Sequence, residues 1–389
     1  MSSLSLKYGT NPHQDPAEVL VEGGEFPFTV VNGRPGYINF LDALNAWQLV
    51  HELRAVLDLP AAASFKHVSP AGAGVAVPLD EALRQAYRVG DKELSPLAQA
   101  YARARGADRL SSFGDFIALS DVVDAQTAAL IAPEVSDGVV APGFSDEALE
   151  VLRRKKKGGY ILLAMDPDHE PPLVESRTVF GVTMRQRRND RVIDPGMLED
   201  RVTRRTDLPD EARRDLLLAL VTLKYTQSNS VCFARDGQVI GNGAGQQSRV
   251  HCTRLAGAKA DRWYLRQHPA VLGLRFRGGV PRAERDNVVD QFLDDDTTER
   301  ERAGWDGVLE VVPERLTAVE RREWLDTLTG VSLGSDAYFP FDDSIHRAAA
   351  TGVEYVVQPG GSVRDDAVIE ACDHYGMVMA FSRTRLFHH

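Results

Sequence analysis

Cysteine is scarce: Cys232, Cys252 and Cys372 are the only three in 389 residues, they lie far apart, and no CxxC pair occurs. A disulfide framework and a structural zinc site are both excluded by that spacing. Long apolar runs are also missing. Stretches such as Tyr160–Met165 and 216–221 fall far short of the ~18 to 20 residues that cross a bilayer, and the first ten residues carry no apolar signal core. Positive charge is in deficit, with 45 Lys plus Arg against 56 Asp plus Glu and a formal charge of −11. Nonspecific binding to nucleic acid or to an anionic membrane therefore starts from the wrong sign, and an anionic ligand needs a local basic site. The expected protein is cytoplasmic, reduced, and large enough for two or three domains. Low-complexity tracts and repeats of ~20 to 50 residues are absent, which removes solenoids and propellers.

What is present alternates. Asn39 and Asp42 open a helix that runs to Leu57 with Phe40, Leu41, Leu44, Trp47, Val50, Leu53 and Val56 on nearly every face, as a buried helix requires. Ala61–Phe65 reads as a short buried strand, ended by the breaker-rich Ser69-Pro70-Ala71-Gly72, so Lys66 and His67 sit where strand becomes loop. Residues 210–225 form a second buried helix. Residues 231–233 and 239–240 flank Arg235-Asp236-Gly237 as a hairpin, and residues 246–263 form a further helix. From 266 to 323 the composition turns charged and helix-forming, a peripheral helical insert, before the alternation resumes at 355–357 and runs to 381. The fold class is α/β.

Few motifs carry chemistry by themselves. Lys66-His67 at a strand end pairs a cation with a group that titrates near neutrality, as an oxyanion stabiliser and general base require; a solvated Lys beside a satisfied His is the bland reading. The run 241–249 reads as a glycine-rich loop entering a helix, where N-terminal amides and Arg249 can meet an anion, or as a tight packing turn. It lacks the Lys-Ser/Thr of a Walker loop and the third glycine of GxGxxG. Arg153–Lys157 is a solvated helix end. Zinc-deaminase chemistry needs HxE and PCxxC, and neither occurs. His51, His169, His346 and His374 have no metal-ligand spacing.

Longer segments resemble one family. These are KYGTNPHQ at 7–14, KHVSPAGAG at 66–74, YARARGADRLSSFGDF at 101–116, YTQSNSV at 225–231, GAGQQSRVHCTRLAGAKAD at 243–261, SDAYFPFDD at 335–343 and RLFHH at 385–389. Together they resemble the AICAR transformylase part of the bifunctional purine-biosynthesis protein, in the same order from Leu6 to His389. Only five residues precede Leu6, so the IMP cyclohydrolase domain of that protein is expected to be missing and ring closure to need a separate IMP cyclohydrolase. The resemblance implies two tandem cytidine-deaminase-like α/β/α units with a helical insert: 1–190, then 191–264 with 330–389, the insert being 265–329. It implies a homodimer with sites at the interface, allows a potassium ion near the site, and involves no zinc.

The implied reaction moves the formyl group of 10-formyltetrahydrofolate to the 5-amino group of AICAR ribotide, giving formyl-AICAR and tetrahydrofolate. By resemblance, His67 is the proton acceptor and Lys66 the transition-state cation. Ribotide positions are Lys7, Tyr8, Gly114, Asp137, Asn229, Arg249, Tyr338, Arg385 and His389, with His67 itself. Folate positions are Val250, Asp343, Ser362 and Val363. Three residues depart from the family pattern. Lys7 stands where the family has Arg, and a point ammonium cannot grip phosphate bidentately. Tyr338 replaces Phe and adds a hydroxyl to satisfy. Asp342 stands where eukaryotic-type members have Arg, which makes the folate side more acidic. Two alternatives share these features: a same-fold formyltransferase with another aminoribotide or one-carbon donor, and a non-catalytic partner subunit of a cyclohydrolase.

Overall fold

The computed structural model describes residues 2–21 and 24–389. Its centre is an eleven-stranded mixed sheet. From edge to edge the strands are Val378–Phe381, Val353–Gln358, Val331–Ser335, Val231–Arg235, Gln238–Gly243, Ser69–Val75, Ala61–Lys66, Asp115–Leu119, Ser136–Ala141, Ile161–Met165 and Phe28–Asn32. Within it one pattern occurs twice. An antiparallel hairpin (61–75, then 231–243) is followed by three mutually parallel strands stacked beside the hairpin's first strand. The two patterns meet where Gln238 pairs with Gly74 and Asn242 donates to the Pro70 carbonyl at 2.9 Å.

Both faces of the sheet are covered, which explains why its strands are apolar on both sides. On one face lie the helices Tyr37–Leu57 and Asp210–Lys224, which pack with Ala61, Ala63, Phe65, Ala118, Val140, Ala234 and Val357. On the other, Pro96–Ala107 covers Ala62, Ile117 and Val139, and Arg249–Leu265 covers Phe233, Ile240 and Leu333. The buried leucines of the 210–224 helix each contribute ~1.5–3 kcal/mol of transfer free energy. Asn39 lies two residues inside its helix rather than at the start, and its side-chain oxygen accepts the Gly36 N–H at 2.9 Å.

Glycine placement corrects two sequence expectations. Ser69-Pro70-Ala71-Gly72 breaks nothing and is strand, and Gly241-Asn242-Gly243 is strand rather than loop. A Cβ on Gly72 would meet the Ala104 carbonyl oxygen at 2.2 Å, and one on Gly241 the Ala256 oxygen at 2.1 Å. These glycines let a helix lie against its strand at backbone distance.

Between 265 and 331 the chain forms the helices Pro269–Leu272, Arg282–Leu293, Glu299–Ala303 and Ala318–Leu325 around their own core of Val288, Phe292, Trp305 and Leu309. A further hairpin, Val174–Val179 with Val182–Arg187, is exposed along its whole length, and sequence periodicity did not single it out. The Arg153–Lys157 run is not uniformly solvated. Lys155 donates to the carbonyls of Ile131, Ala132 and Glu134 at 2.6–3.0 Å, and burial pulls its ammonium down to about 8. Among the described residues no helix is long and apolar enough to cross a membrane.

Candidate active site

Strand directions bring several of the expected residues to one end of the sheet. The strand Ala61–Lys66 runs antiparallel to 115–119, and 231–235 antiparallel to 331–335. Lys66, Gly114, Asp137, Asn229, Ser335 and Gln358 therefore all lie at one end of the sheet.

Lys66 and Ser69 pair directly, so His67 and Val68 form a two-residue hairpin turn. Their φ values of 53° and 60° lie in the left-handed region, where a β-branched residue such as Val68 is a rare occupant. Turns of this hand favour Asn-Gly because L side chains cost ~1–2 kcal/mol per residue there. The compensation comes from Asp42, buried in the 37–57 helix, whose carboxylate accepts the Val68 N–H at 2.7 Å. Burial raises the Asp42 carboxyl above its ordinary range, opposed by the Val68 N–H and by the nearby His67. The imidazole of His67 is left exposed at the tip.

Lys66 is oriented separately. Its ammonium donates to the Phe113 carbonyl at 2.5 Å, which sets it beside Gly114, where φ is +75°. One of its three N–H donors is thereby used and two remain. Asp137 accepts from Lys156 at 2.7 Å and from Asn39 at 3.4 Å, and it lies near enough to Asp42 to perturb it.

A second cluster borders this one through Ser69, whose hydroxyl accepts the Gln227 N–H at 3.3 Å. Its hub is Asp336, fully buried. One carboxylate oxygen takes Arg249 at 2.5 Å; the other takes the Ser228 hydroxyl at 2.6 Å and the Ser230 N–H at 2.9 Å. Arg249 also donates to the side-chain oxygen of Asn229 at 2.7 Å and to the Ser230 carbonyl at 2.7 Å. Its charge is thus neutralised and its fork is occupied, so Arg249 fixes Asn229 in place. The C-terminal tail is sewn to the same hub, with Leu386 N–H on the Asp336 carbonyl at 2.9 Å and Ser228 N–H on the His388 carbonyl at 3.0 Å. Burial lowers the His388 imidazole below its usual range. Tyr338, Arg385 and His389 are exposed around the hub, with the Arg385 guanidinium 4.7 Å from the Phe387 ring.

The expected folate positions form a third group. Val250 follows Arg249. Asp343 begins the helix Asp343–Ala349, and its neighbour Ser344 meets Thr253 at 3.3 Å. Ser362 and the fully exposed Val363 lie on the loop whose Arg364 covers the Phe341 ring at 5.4 Å. Lys7 and Tyr8 stand apart on the N-terminal segment, with the Lys7 ammonium 5.8 Å from the Tyr8 ring, and among the described residues neither bonds to these groups. No cluster of three or more His, Cys, Asp or Glu side chains able to hold a metal occurs among the described residues.

Sequence reasoning passed over Asp42, Ser69 and Asp336 as site residues. Asp336 lay inside the SDAYFPFDD segment, whereas Asp42 carried only a helix-start signal.

Comparison with known proteins places the chain in a family. Residues 1–259 match the family described as AICARFT/IMPCHase bienzyme. The bifunctional purine biosynthesis protein PurH of Ruegeria pomeroyi is 32% identical over 391 residues, covering 99% of this chain and 59% of that protein. PurH of a second Ruegeria strain is 31% identical with the same coverage, and PurH of Sinorhizobium medicae is 31% identical over 99% of this chain and 58% of its own length. The chain thus spans a little under three fifths of the relatives it matches. It belongs to the AICARFT/IMPCHase bienzyme family.

Proposed function

We propose that the chain acts in purine biosynthesis as the formyltransferase, carrying the formyl group of 10-formyltetrahydrofolate to the 5-amino group of AICAR ribotide. The observation that carries this reading is the Lys66–Ser69 turn, which presents an exposed imidazole beside an ammonium with two free donors. An amine conjugated into an aminoimidazole carboxamide is a weak nucleophile. His67 takes its proton as the nitrogen attacks the formyl carbon, a contribution worth ~10²- to 10⁴-fold. Negative charge then grows on the formyl oxygen, where Lys66 supplies the cation. The new N–C bond is kept, the bond from carbon to N10 breaks, and His67 returns the proton to N10. Asn229, held by Arg249, and the tail residues Arg385 and His389 contact the ribotide; Val250, Asp343, Ser362 and Val363 contact the folate.

The repeated strand pattern supports assigning both halves to the cytidine-deaminase-like class, as units 1–190 and 191–264 with 330–389, with 265–329 as the insert. A homodimer is part of the proposal, because apolar Ile38, Leu41, Phe113, Tyr338 and Phe341 are exposed and a second copy would cover such surface. A potassium ion near the site is a further part of the proposal, carried by the resemblance to the family. Steady-state release of tetrahydrofolate from AICAR ribotide and 10-formyltetrahydrofolate, with formyl-AICAR and IMP resolved, tests the reading. Formyl-AICAR without IMP is expected; no turnover by folded chain would overturn it.

A further inference from the structure

Lined by none of the strand-end residues, a cavity of about 210 Å³ opens where Glu81–Ala86 and Pro269–Leu272 meet Arg282–Leu293 and the end of Arg249–Leu265. Arg88, Arg266 and Arg285 line it, together with Phe276 and aliphatic side chains, and no carboxylate does. Three guanidinium groups sharing one small hollow need an explanation, because like charges repel more strongly as water is excluded.

Their existing partners do not supply one. Arg285 donates through Nε to the Val280 carbonyl at 2.9 Å and lies 5.4 Å from the Phe276 ring, with no ion-pair partner among the described residues. Arg88 reaches Asp286 with one terminal nitrogen at 3.0 Å, while its other terminal nitrogen is buried and unbonded. Arg266 makes long contacts, 3.7 Å to the Asp286 carboxylate and 3.8 Å to Asp290, and donates to the Asp286 backbone carbonyl at 3.5 Å. Asp286 carries a single negative charge that Arg109, on both its oxygens at 3.0 Å, shares with Arg88 and Arg266, so it cannot balance all of these cations. Burial, reinforced by repulsion from Arg109 and Arg266, brings the Arg88 guanidinium down to about 10. The backbone adds a second, independent sign. Arg88 follows the end of the 81–86 helix with φ at 55°, the position and conformation that glycine usually fills. An arginine held there despite its Cβ marks a side chain that the surrounding structure over-determines, and such residues cluster at ligand clamps.

We propose that this cavity is a binding site for a phosphoryl anion, distinct from the strand-end site. Guanidinium forks match phosphate oxygens bidentately, so an anion here would occupy the unbonded Arg88 nitrogen and the free edge of Arg285. The volume falls below the ~300–1,000 Å³ of drug-sized pockets. The ligand is therefore orthophosphate or the phosphate group of a molecule smaller than a nucleotide. Phe276, flanked by Arg88 at 5.9 Å and Arg285 at 5.4 Å, forms the apolar floor.

Calorimetric titration of the full chain with inorganic phosphate, at ionic strength held constant with chloride, tests this. Arg285→Gln is the informative variant, because it breaks no ion pair and loses only the bond to the Val280 carbonyl and the Phe276 ring contact, so its urea midpoint without phosphate should shift little. Arg285→Lys keeps the charge, and Arg385→Gln reports on the strand-end site. Saturable binding that weakens at least tenfold in Arg285→Gln, less in Arg285→Lys, and survives in Arg385→Gln is expected. Binding unaltered in Arg285→Gln, binding lost only in Arg385→Gln, or no saturable binding in the unmodified chain would each overturn the proposal.

Discussion

Replacing Asp42 by Ala should cripple turnover while costing little stability, although Asp42 touches neither reactant in the proposed chemistry. Its carboxylate holds the Val68 N–H at 2.7 Å within a turn whose two central residues both have positive φ. A hydrogen bond to a charged group is worth ~1.5–3 kcal/mol. Burial of that charge, seen in the raised Asp42 carboxyl, offsets part of this, so the net loss should be about 1–2 kcal/mol. The turn itself stores ~1–2 kcal/mol at each of His67 and Val68. Released from Asp42, it relaxes and carries the imidazole with it, and a shift of ~1 Å costs on the order of 10²-fold. Urea unfolding monitored by fluorescence gives the stability change, and steady-state kinetics gives kcat and KM. Asp42→Asn is the control. Its amide oxygen can still accept the Val68 N–H, so its kcat should stay within several-fold of the unmodified chain. Unchanged kcat in Asp42→Ala would refute the reasoning, as would equal losses in Ala and Asn, since the acceptor and not the charge is held responsible.

Three other outcomes follow from buried groups. Asp336→Asn strands the Arg249 charge and should destabilise by ~3–5 kcal/mol in urea, with the C-terminal tail becoming protease-sensitive first. Burial raises the Asp286 carboxyl, but Arg109 and Arg88 outweigh it and hold it at about 2. Being depressed in the fold, it contributes stability above pH ~4 that is lost as pH falls from ~4 to ~2, on the order of 2 kcal/mol in all; urea midpoints across that window should fall less steeply in Asp286→Asn. Gly241→Ala places a methyl 2.1 Å from the Ala256 carbonyl oxygen and should lower stability by ~1–3 kcal/mol, whereas Gly245→Ser, with open space around it, should be limited to the smaller strain of its positive φ.

The layered α/β order was legible because both buried helices and the short apolar strands carry their own periodicity. Less legible was anything set by contact between distant segments. Ser69–Gly72 has the composition of a turn and becomes strand because a helix packs against Gly72 at backbone distance. The tight turn at His67-Val68 has none of the usual Asn-Gly chemistry, since its stabilisation comes from Asp42, 26 positions earlier. The pair Lys66-His67 and the loop at Asn229 were readable as segments. That Asp336 gathers Arg249, Ser228 and the tail was not, because no local spacing encodes it.

The central claim is that His67 removes the amine proton in formyl transfer. His67→Ala tests it most directly, with kcat measured from tetrahydrofolate release and AICAR ribotide affinity measured by calorimetry on the same preparation. The account predicts a fall in kcat of ~10²- to 10⁴-fold while ribotide still binds and Lys66 is unaltered. Turnover within a few-fold of the unmodified chain would contradict it.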